Sequence, residues 1–125
     1  MPDRLDFLAS VNNMVNIMKY QIGNVIAHRN YFSGKHQQSS PVVEIQIGQP
    51  SKSPHAEDEF MCTFRIKFAD SDKTDAVFGI DELQALQLAL GSIASRLQGL
   101  NESHHLELRW DGDENGDLGI RIPVP

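Results

Sequence analysis

Residues 78–100 constrain the fold of this chain most, because they predict one complete helix with both ends marked. Asp81 is a good N-cap residue, and Gln84 three positions later can close a variant of the capping box. Gly99 suits the left-handed position that ends a helix. Leucine and isoleucine recur in steps of three and four and predict one buried face, made of Leu83, Leu86, Leu90, Ile93 and Leu97.

Alternating apolar and polar residues predict five strands, which lie on both sides of this central helix in the sequence. Each predicted strand has one apolar and one polar face, which is typical of an antiparallel sheet covered on one side. The central helix is therefore expected to cover that sheet. The predicted strands are residues 42–47, 60–68, 74–78, 105–110 and 118–124.

Residues 5–28 carry a second helical pattern, with steps of three and four between apolar residues. Only Lys19 is charged between Asp6 and Arg29, which is few charges for a solvated helix. We expect this first helix to pack on another surface, either its own sheet or the same helix of a second chain in a twofold dimer. Its apolar stripe is the predicted interface and comprises Leu8, Val11, Val15, Met18, Ile22 and Val25.

Together these patterns predict an α+β domain with element order α-βββ-α-ββ. A long N-terminal helix precedes an antiparallel sheet of about five strands, and the central helix covers one face of that sheet. A length of 125 residues fits one domain. Within it we expect residues 1–33 to form the N-terminal helix, a possible oligomerisation element, and residues 42–125 to form the α+β core.

From residue 42 onward the chain resembles an uncharacterised bacterial protein family, a domain of unknown function. The strongest likeness is the Phe-Gly-Ile-Asp-Glu-Leu-Gln-Ala-Leu-Gln-Leu-Ala-Leu run that begins at Phe78. Residues 50–54, 62–66 and 117–119 and Trp110 are similar too. The resemblance implies a fold unit and no catalytic residue, because the family has no assigned activity.

Composition excludes some partners. The net charge of −6, with basic residues scattered along the chain, disfavours nucleic acid and anionic membranes. A single cysteine, Cys62, excludes an intramolecular disulfide and indicates a reducing cytoplasm. We expect no secretory signal, because Asp3 and Asp6 stand in place of a basic region and asparagines interrupt any apolar run. We expect no membrane span, because no run of about 20 apolar residues occurs.

One local motif predicts a metal site. Asp111, Asp113, Asn115 and Asp117 match the oxygen-ligand positions that open an EF-hand calcium loop. Position twelve should be a bidentate glutamate and is Ile122, and predicted strands flank the loop in place of helices. A solvated hairpin loop is the favoured interpretation, because Asp-Gly and Asn-Gly are preferred turn pairs. We therefore expect weak calcium binding at most, and no cofactor.

Other chemistry-bearing residues do not group. His104 and His105 are adjacent, so on the predicted strand they would point to opposite faces and could not share a metal ion. Cys62 lies on the apolar face of its predicted strand, where a thiol behaves as a small hydrophobe with a raised pKa.

The leading functional hypothesis is a non-enzymatic binding or assembly module of the bacterial cytoplasm, which could resemble an immunity protein that binds a basic partner. The alternatives are a small enzyme that uses Cys62 or the carboxylates of residues 111–117, and a weak calcium-binding protein.

Overall fold

The computed structural model describes residues 20–34, 40–111 and 118–120. Six strands and one α-helix lie in these ranges, and all strand pairs are antiparallel. In chain order they are β1 (Val25–Ser33), β2 (Val43–Gly48), β3 (Ser51–Lys52), β4 (Phe60–Phe68), β5 (Ser71–Gly79), α1 (Glu82–His104) and β6 (Leu108–Trp110).

The six strands form one sheet around β4. Strand β5 pairs with β4 along its whole length, from Gly79 opposite Phe60 to Ser71 opposite Phe68. On the other side of β4, β2 pairs with its second half and the short β3 pairs with its start. Strand β1 then pairs with β2, and β6 pairs with β1. Strands β5 and β6 are therefore the two edges of the described sheet.

Helix α1 packs on one face of the sheet, which we call the inner face, and contacts both β4 and β5. The inner face is apolar because alternate residues of β2 and β4 point toward the helix. The fully or nearly fully buried residues of this core are Tyr31, Val43, Ile45, Ile47, Cys62, Phe64, Ile66, Ala85, Ala89, Ile93, Leu97 and Leu108. The opposite, outer face carries most of the charged strand residues, including Glu44, Arg65 and Lys67.

The predicted N-terminal helix is wrong for the residues that the structure describes. Residues 20–24 are not helical, and Val25–Ser33 is strand β1 of the sheet. Spacing of apolar residues is a local signal, whereas β1 is stabilised by pairing with β2 and β6, which lie far along the chain. Its β-branched and aromatic residues also favour a strand. Residues 1–19 lie outside the described residues.

The element order therefore differs from the predicted α-βββ-α-ββ, since β1 to β5 all precede the single described helix. The predicted strand at 60–68 has the same bounds as β4. Strand β5 begins at Ser71, three residues before the predicted start, because the turn is confined to Ala69 and Asp70. Residues 118–120 are not a strand, and residues 121–125 are outside the described part of the chain.

Helix α1 ends later than predicted. It continues through Gly99 to His104, and His105 takes the left-handed conformation (φ 51°) that ends it. The N–H of His105 donates to the carbonyl of Asn101. Strand β6 consequently begins only at Leu108, so the predicted strand at 105–110 is too long.

The buried face of α1 is also rotated from the predicted leucine stripe. Leu83 is 64% exposed, whereas Ala85 and Ala89 are fully buried. Small side chains let the helix approach the sheet closely, and Leu86 and Leu90 pack at the flank of the contact. Ile93 and Leu97 are buried, as predicted.

Candidate functional site

The start of α1 is fixed by a reciprocal cap. The N–H of Gln84 donates to Asp81 Oδ1 at 2.7 Å, and Gln84 Oε1 accepts the N–H of Ile80 at 2.7 Å. Asp81 is thus the N-cap, as predicted, while the glutamine reaches the residue before the cap. This cap places the helix directly after β5, so the two elements lie side by side.

The exposed face of α1 is unusually poor in charge. Between Glu82 and Glu102, Arg96 is the only charged residue. Small residues follow one another at intervals of four along α1, and we call them the small-residue face: Gly91, Ser95, Gly99 and Ser103. Of these, Gly99 and Ser103 lie on the β5 side of the helix. A Cβ added at Gly91 or Gly99 would meet nothing within 4 Å.

An open cleft of about 790 Å³ lies between the second half of α1 and the β4–β5 hairpin. Its floor is apolar and is made by Ile66, Phe68 and Leu100, and its rim carries Lys73 and Ser103 among other polar residues. Concave surfaces with an apolar floor and a few polar groups are the usual form of binding sites. This cleft and the small-residue face adjoin each other and form the candidate site.

An ionic contact lies at one end of the cleft and an aromatic contact lies at the other. At one end, Arg96 forms an ion pair with Asp75 of β5 at 2.5 Å, and its guanidinium lies 5.1 Å from the ring centroid of Phe64. At the other end, the rings of His104 and Phe68 are 4.8 Å apart. These contacts hold α1 against the hairpin without filling the space between them.

The free edge of β5 borders the same site. Alternate residues of an antiparallel strand bond to the partner strand, and those between them direct their backbone groups the other way. The N–H of Ala76 donates to Asp75 Oδ1 at 2.8 Å, so it points away from β4. By alternation the backbone groups of Asp72 and Thr74 also point to this edge. Among the residues that the structure describes, no other strand pairs there.

The outer face of the sheet holds charges in fixed pairs. Arg65 donates to both carboxylate oxygens of Asp72, at 2.7 and 2.5 Å, and Lys67 lies 4.0 Å from Glu44. The hydrogen bond from Arg65 lowers the pKa of Asp72, and the same bond raises the pKa of Arg65. With its charges neutralised in pairs, this face offers a polar, solvated surface.

A second, smaller cavity of about 240 Å³ lies over β1 and β2, between Leu90 and residues 119–120. Arg29 and Tyr31 hold this part of the chain in place. The Arg29 guanidinium donates to the carbonyl of Gly119 at 3.0 Å, and the Tyr31 hydroxyl donates to that of Leu118 at 2.6 Å. These bonds hold residues 118–119 in place, and Gly119 forms part of the wall of the cavity.

Of the predicted calcium ligands, Asp111 is the one that the structure describes. Asp111 is exposed at the end of β6, and Asp113, Asn115 and Asp117 lie outside the described residues. Within residues 20–34, 40–111 and 118–120, no three His, Cys, Asp or Glu side chains are grouped to hold a metal ion.

Cys62 is fully buried, and burial raises the pKa of its thiol, in agreement with the sequence analysis. Its Sγ lies 3.5 Å from the carbonyl of Gly48. A thiol with a raised pKa and no access to substrate is not a nucleophile in the folded chain. Cys62 is therefore a core residue.

Of the predicted interface stripe, the structure describes only Ile22 and Val25, which both lie next to Gly48 of β2. Ile22 lies beside Gly48 and Thr63 on the outer face, and Val25 is a partly exposed residue of β1. Leu8, Val11, Val15 and Met18 lie outside the described part of the chain.

Sequence reasoning missed the candidate site. The cleft depends on which strand neighbours α1, and strand order is not a local property. The small-residue face was visible, however, as an uncharged run with glycine and serine four positions apart.

Comparisons with known proteins bear on the family of this chain and not on an activity. The helix in the described part of the chain, α1, is not long and apolar enough to span a bilayer. No curated protein and no solved structure matches the chain. A family described as Domain of unknown function (DUF6968) matches residues 27–122, which includes β1 from Ala27 onward and begins earlier than the resemblance seen in the sequence. The chain therefore belongs to the DUF6968 family, a domain of unknown function.

Proposed function

We propose that this domain is a non-enzymatic binding or assembly module, and that the small-residue face of α1 and the adjoining cleft bind a protein partner. The observation that carries the proposal is the lack of charge on exposed α1, where Arg96 is the single charged residue between Glu82 and Glu102. Solvated helix faces carry more charge. The centres of protein interfaces are depleted in charged residues, so burial by a partner explains this composition.

The cleft supports the same proposal. Its apolar floor lies beside the small-residue face, so one partner can cover both surfaces at once. Gly99 lines the cleft and has open space where a side chain would be. Glycine inside a helix costs about 1 kcal/mol relative to alanine, and close approach of a partner gives a physical reason for it.

An enzymatic role has less support. Of its two candidate centres, Cys62 is buried in the core with a raised pKa. The carboxylate loop that begins at Asp111 has a hairpin composition and lacks the twelfth calcium ligand. The single buried thiol also fits a reducing compartment, and we propose the bacterial cytoplasm.

A second proposal concerns residues upstream of Tyr20. The Tyr20 and Phe78 rings are 6.4 Å apart, which places the start of the described chain on the outer face. Ile22 lies beside Gly48 on the same face, so residues 20–22 already occupy part of the apolar surface there, next to paired charges such as Lys67 and Glu44. We propose that the apolar residues of this segment favour self-association of the chain: Leu8, Val11, Val15 and Met18.

Site-specific photocrosslinking tests the binding surface. A photoreactive residue at Ser95, on the small-residue face, should give one discrete covalent adduct when the full chain is irradiated in its native host. The matched control is the same residue at Gln46 on the outer face, which should give none. Equal adducts at both positions, or none at Ser95, would reject the proposed surface.

The N-terminal proposal has a separate test. Val15→Asp in the full chain should reduce the mass measured by light scattering coupled to size exclusion at tens of micromolar protein. Asn13→Asp adds the same charge outside the apolar stripe and should leave the mass unchanged. An unchanged mass for Val15→Asp would reject this second proposal.

A further inference from the structure

Strand β5 is a nine-residue edge strand with one partner, β4, among the described residues. The backbone groups of Asp72, Thr74 and Ala76 point to the free edge, as established above. An edge of this length is a template on which another chain can add a strand, unless charges oppose it. Strand β5 carries three charged residues in its first half, Asp72, Lys73 and Asp75. Their order along the strand decides which partner strand they attract and which they repel.

The order of charges matches β5 to itself. In an antiparallel pair with Thr74 opposite Thr74, Lys73 of each copy lies directly opposite Asp75 of the other copy. Opposite charges in such positions attract. A pair centred on Asp75 would set that carboxylate opposite itself, which is repulsive. Of these two registers, charge favours the one centred on Thr74.

We propose that the partner is a second copy of this chain, joined through antiparallel pairing of the two β5 strands about a twofold axis at Thr74. This inference rests on the proposed function, because it names the partner that covers the α1 surface. The Thr74 backbone groups point outward, so the two central residues exchange hydrogen bonds across the axis. The interface is isologous, as a twofold requires.

The ionic groups at the axis are compatible with this pairing. Lys73 forms no ion pair with any residue of the described ranges. Asp75 accepts from Arg96 and from the Ala76 N–H of its own chain. The Lys73 ammonium of the second copy would lie opposite this carboxylate and be attracted by its charge.

The same twofold brings the two α1 helices together. Helix α1 contacts both β4 and β5, which places its axis about half a strand spacing inside the β5 edge. Strands are about 4.8 Å apart, so the two helix axes would be roughly 10 Å apart, close to the distance at which helices pack. The sides that meet carry Gly99 and Ser103, which lie beside β5 and whose small size permits this approach. Edge pairing thus buries the small-residue face as well.

Disulfide trapping tests the register directly. Residues in a hydrogen-bonded antiparallel pair have Cα atoms about 5.5 Å apart, within the range that a disulfide spans. Thr74→Cys in the full chain should therefore form a covalent dimer on mild oxidation. Asp72→Cys is the matched control, since its predicted neighbour is Ala76 of the other copy. It should not link to itself, but should link to Ala76→Cys when the two proteins are mixed.

Light scattering of the full chain gives an independent measurement. In a Val15→Asp background, which removes the proposed N-terminal contact, the protein should have a dimer mass at tens of micromolar, and Lys73→Glu should lower it by placing two carboxylates opposite each other. Lys52→Glu makes the same charge change on β3, away from the proposed interface, and should retain the dimer mass. Circular dichroism of each variant measures whether the fold is retained. If Lys73→Glu unfolds, cross-linking of Thr74→Cys still tests the proposal.

A monomer mass in the Val15→Asp background, or a Thr74→Cys protein that does not cross-link, would overturn the second-copy proposal. If the photoreactive residue at Ser95 then captures a different protein, the binding function stands while its partner is not a second copy. If Ser95 captures nothing, the proposed function fails as well.

Discussion

Gly119 lies so close to Trp110 that no side chain fits between them. A Cβ added to Gly119 would come within 2.6 Å of the indole nitrogen and within 2.6 Å of an Arg29 guanidinium nitrogen. Gly119 also has a φ of +73°, which glycine adopts at no steric cost. Arg29 in turn lies 4.4 Å from the Trp110 ring centroid. Residues 118–120 are thus held against β1 and β6 by close backbone contact.

Gly119→Ala should destabilise the protein by about 1–3 kcal/mol, because it combines backbone strain with a clash against Trp110 and Arg29. Urea unfolding followed by circular dichroism measures this change. Gly23→Ala is the matched control, since a Cβ there meets nothing within 4 Å. If both variants unfolded at the same urea concentration, the close contact at Gly119 would carry no energetic weight.

Leu97→Ala should reduce the free energy of unfolding by about 2–5 kcal/mol, because Leu97 is a fully buried residue of α1. Leu83→Ala makes the same change at a side chain that is 64% exposed, and should cost less than about 1 kcal/mol. Chemical denaturation of the two variants compares them directly. Equal losses would mean that the orientation of α1 on the sheet differs from the one described.

Asp72→Asn should lower stability at neutral pH by about 0.2–1 kcal/mol, the range for exposed ion pairs. The hydrogen bond from Arg65 lowers the pKa of Asp72 in the folded state. Its contribution is therefore present above the unfolded carboxyl pKa, near 4, and is lost as the pH falls through the lower folded value. Thermal melts at several pH values should show the two proteins converging in acid. A gap that widened in acid would contradict this sign.

Calcium should leave the melting temperature almost unchanged, because a loop without its twelfth-position carboxylate binds at millimolar strength at best. Melts in low-millimolar calcium, with magnesium as the control, measure the effect. A rise of several degrees with calcium alone would establish Asp111, Asp113, Asn115 and Asp117 as ligands.

Local patterns predicted the elements that depend on local chemistry. Strand β4 alternates cleanly over residues 60–68 between turn-forming segments, so its bounds follow from sequence. The Asp81 cap is likewise a short-range interaction. The rotated face of α1 is different, because Ala85 and Ala89 are buried for their small size. Counting leucines cannot find a face that is chosen by close approach.

Long-range pairing explains the failure over residues 20–28. The steps of three and four that end at Ile22 and Val25 are indistinguishable from a helical stripe when only neighbours are considered. Strand β1 exists because β2 and β6 flank it. The candidate site was hidden for the same reason, since the cleft beside Lys73 requires α1 to follow an edge strand.

The position of β6 has a consequence for how the chain folds during synthesis. Trp110 pairs with Tyr31, a separation of 110 − 31 = 79 positions. Strands β1 to β5 can pair as soon as they leave the ribosome, but their apolar inner face has no cover until α1 emerges. Pairing of β6 with β1 is slow, because the entropy of the long intervening chain must be lost before this contact forms. The nascent sheet is thus exposed to aggregation until the last third of the chain has been made.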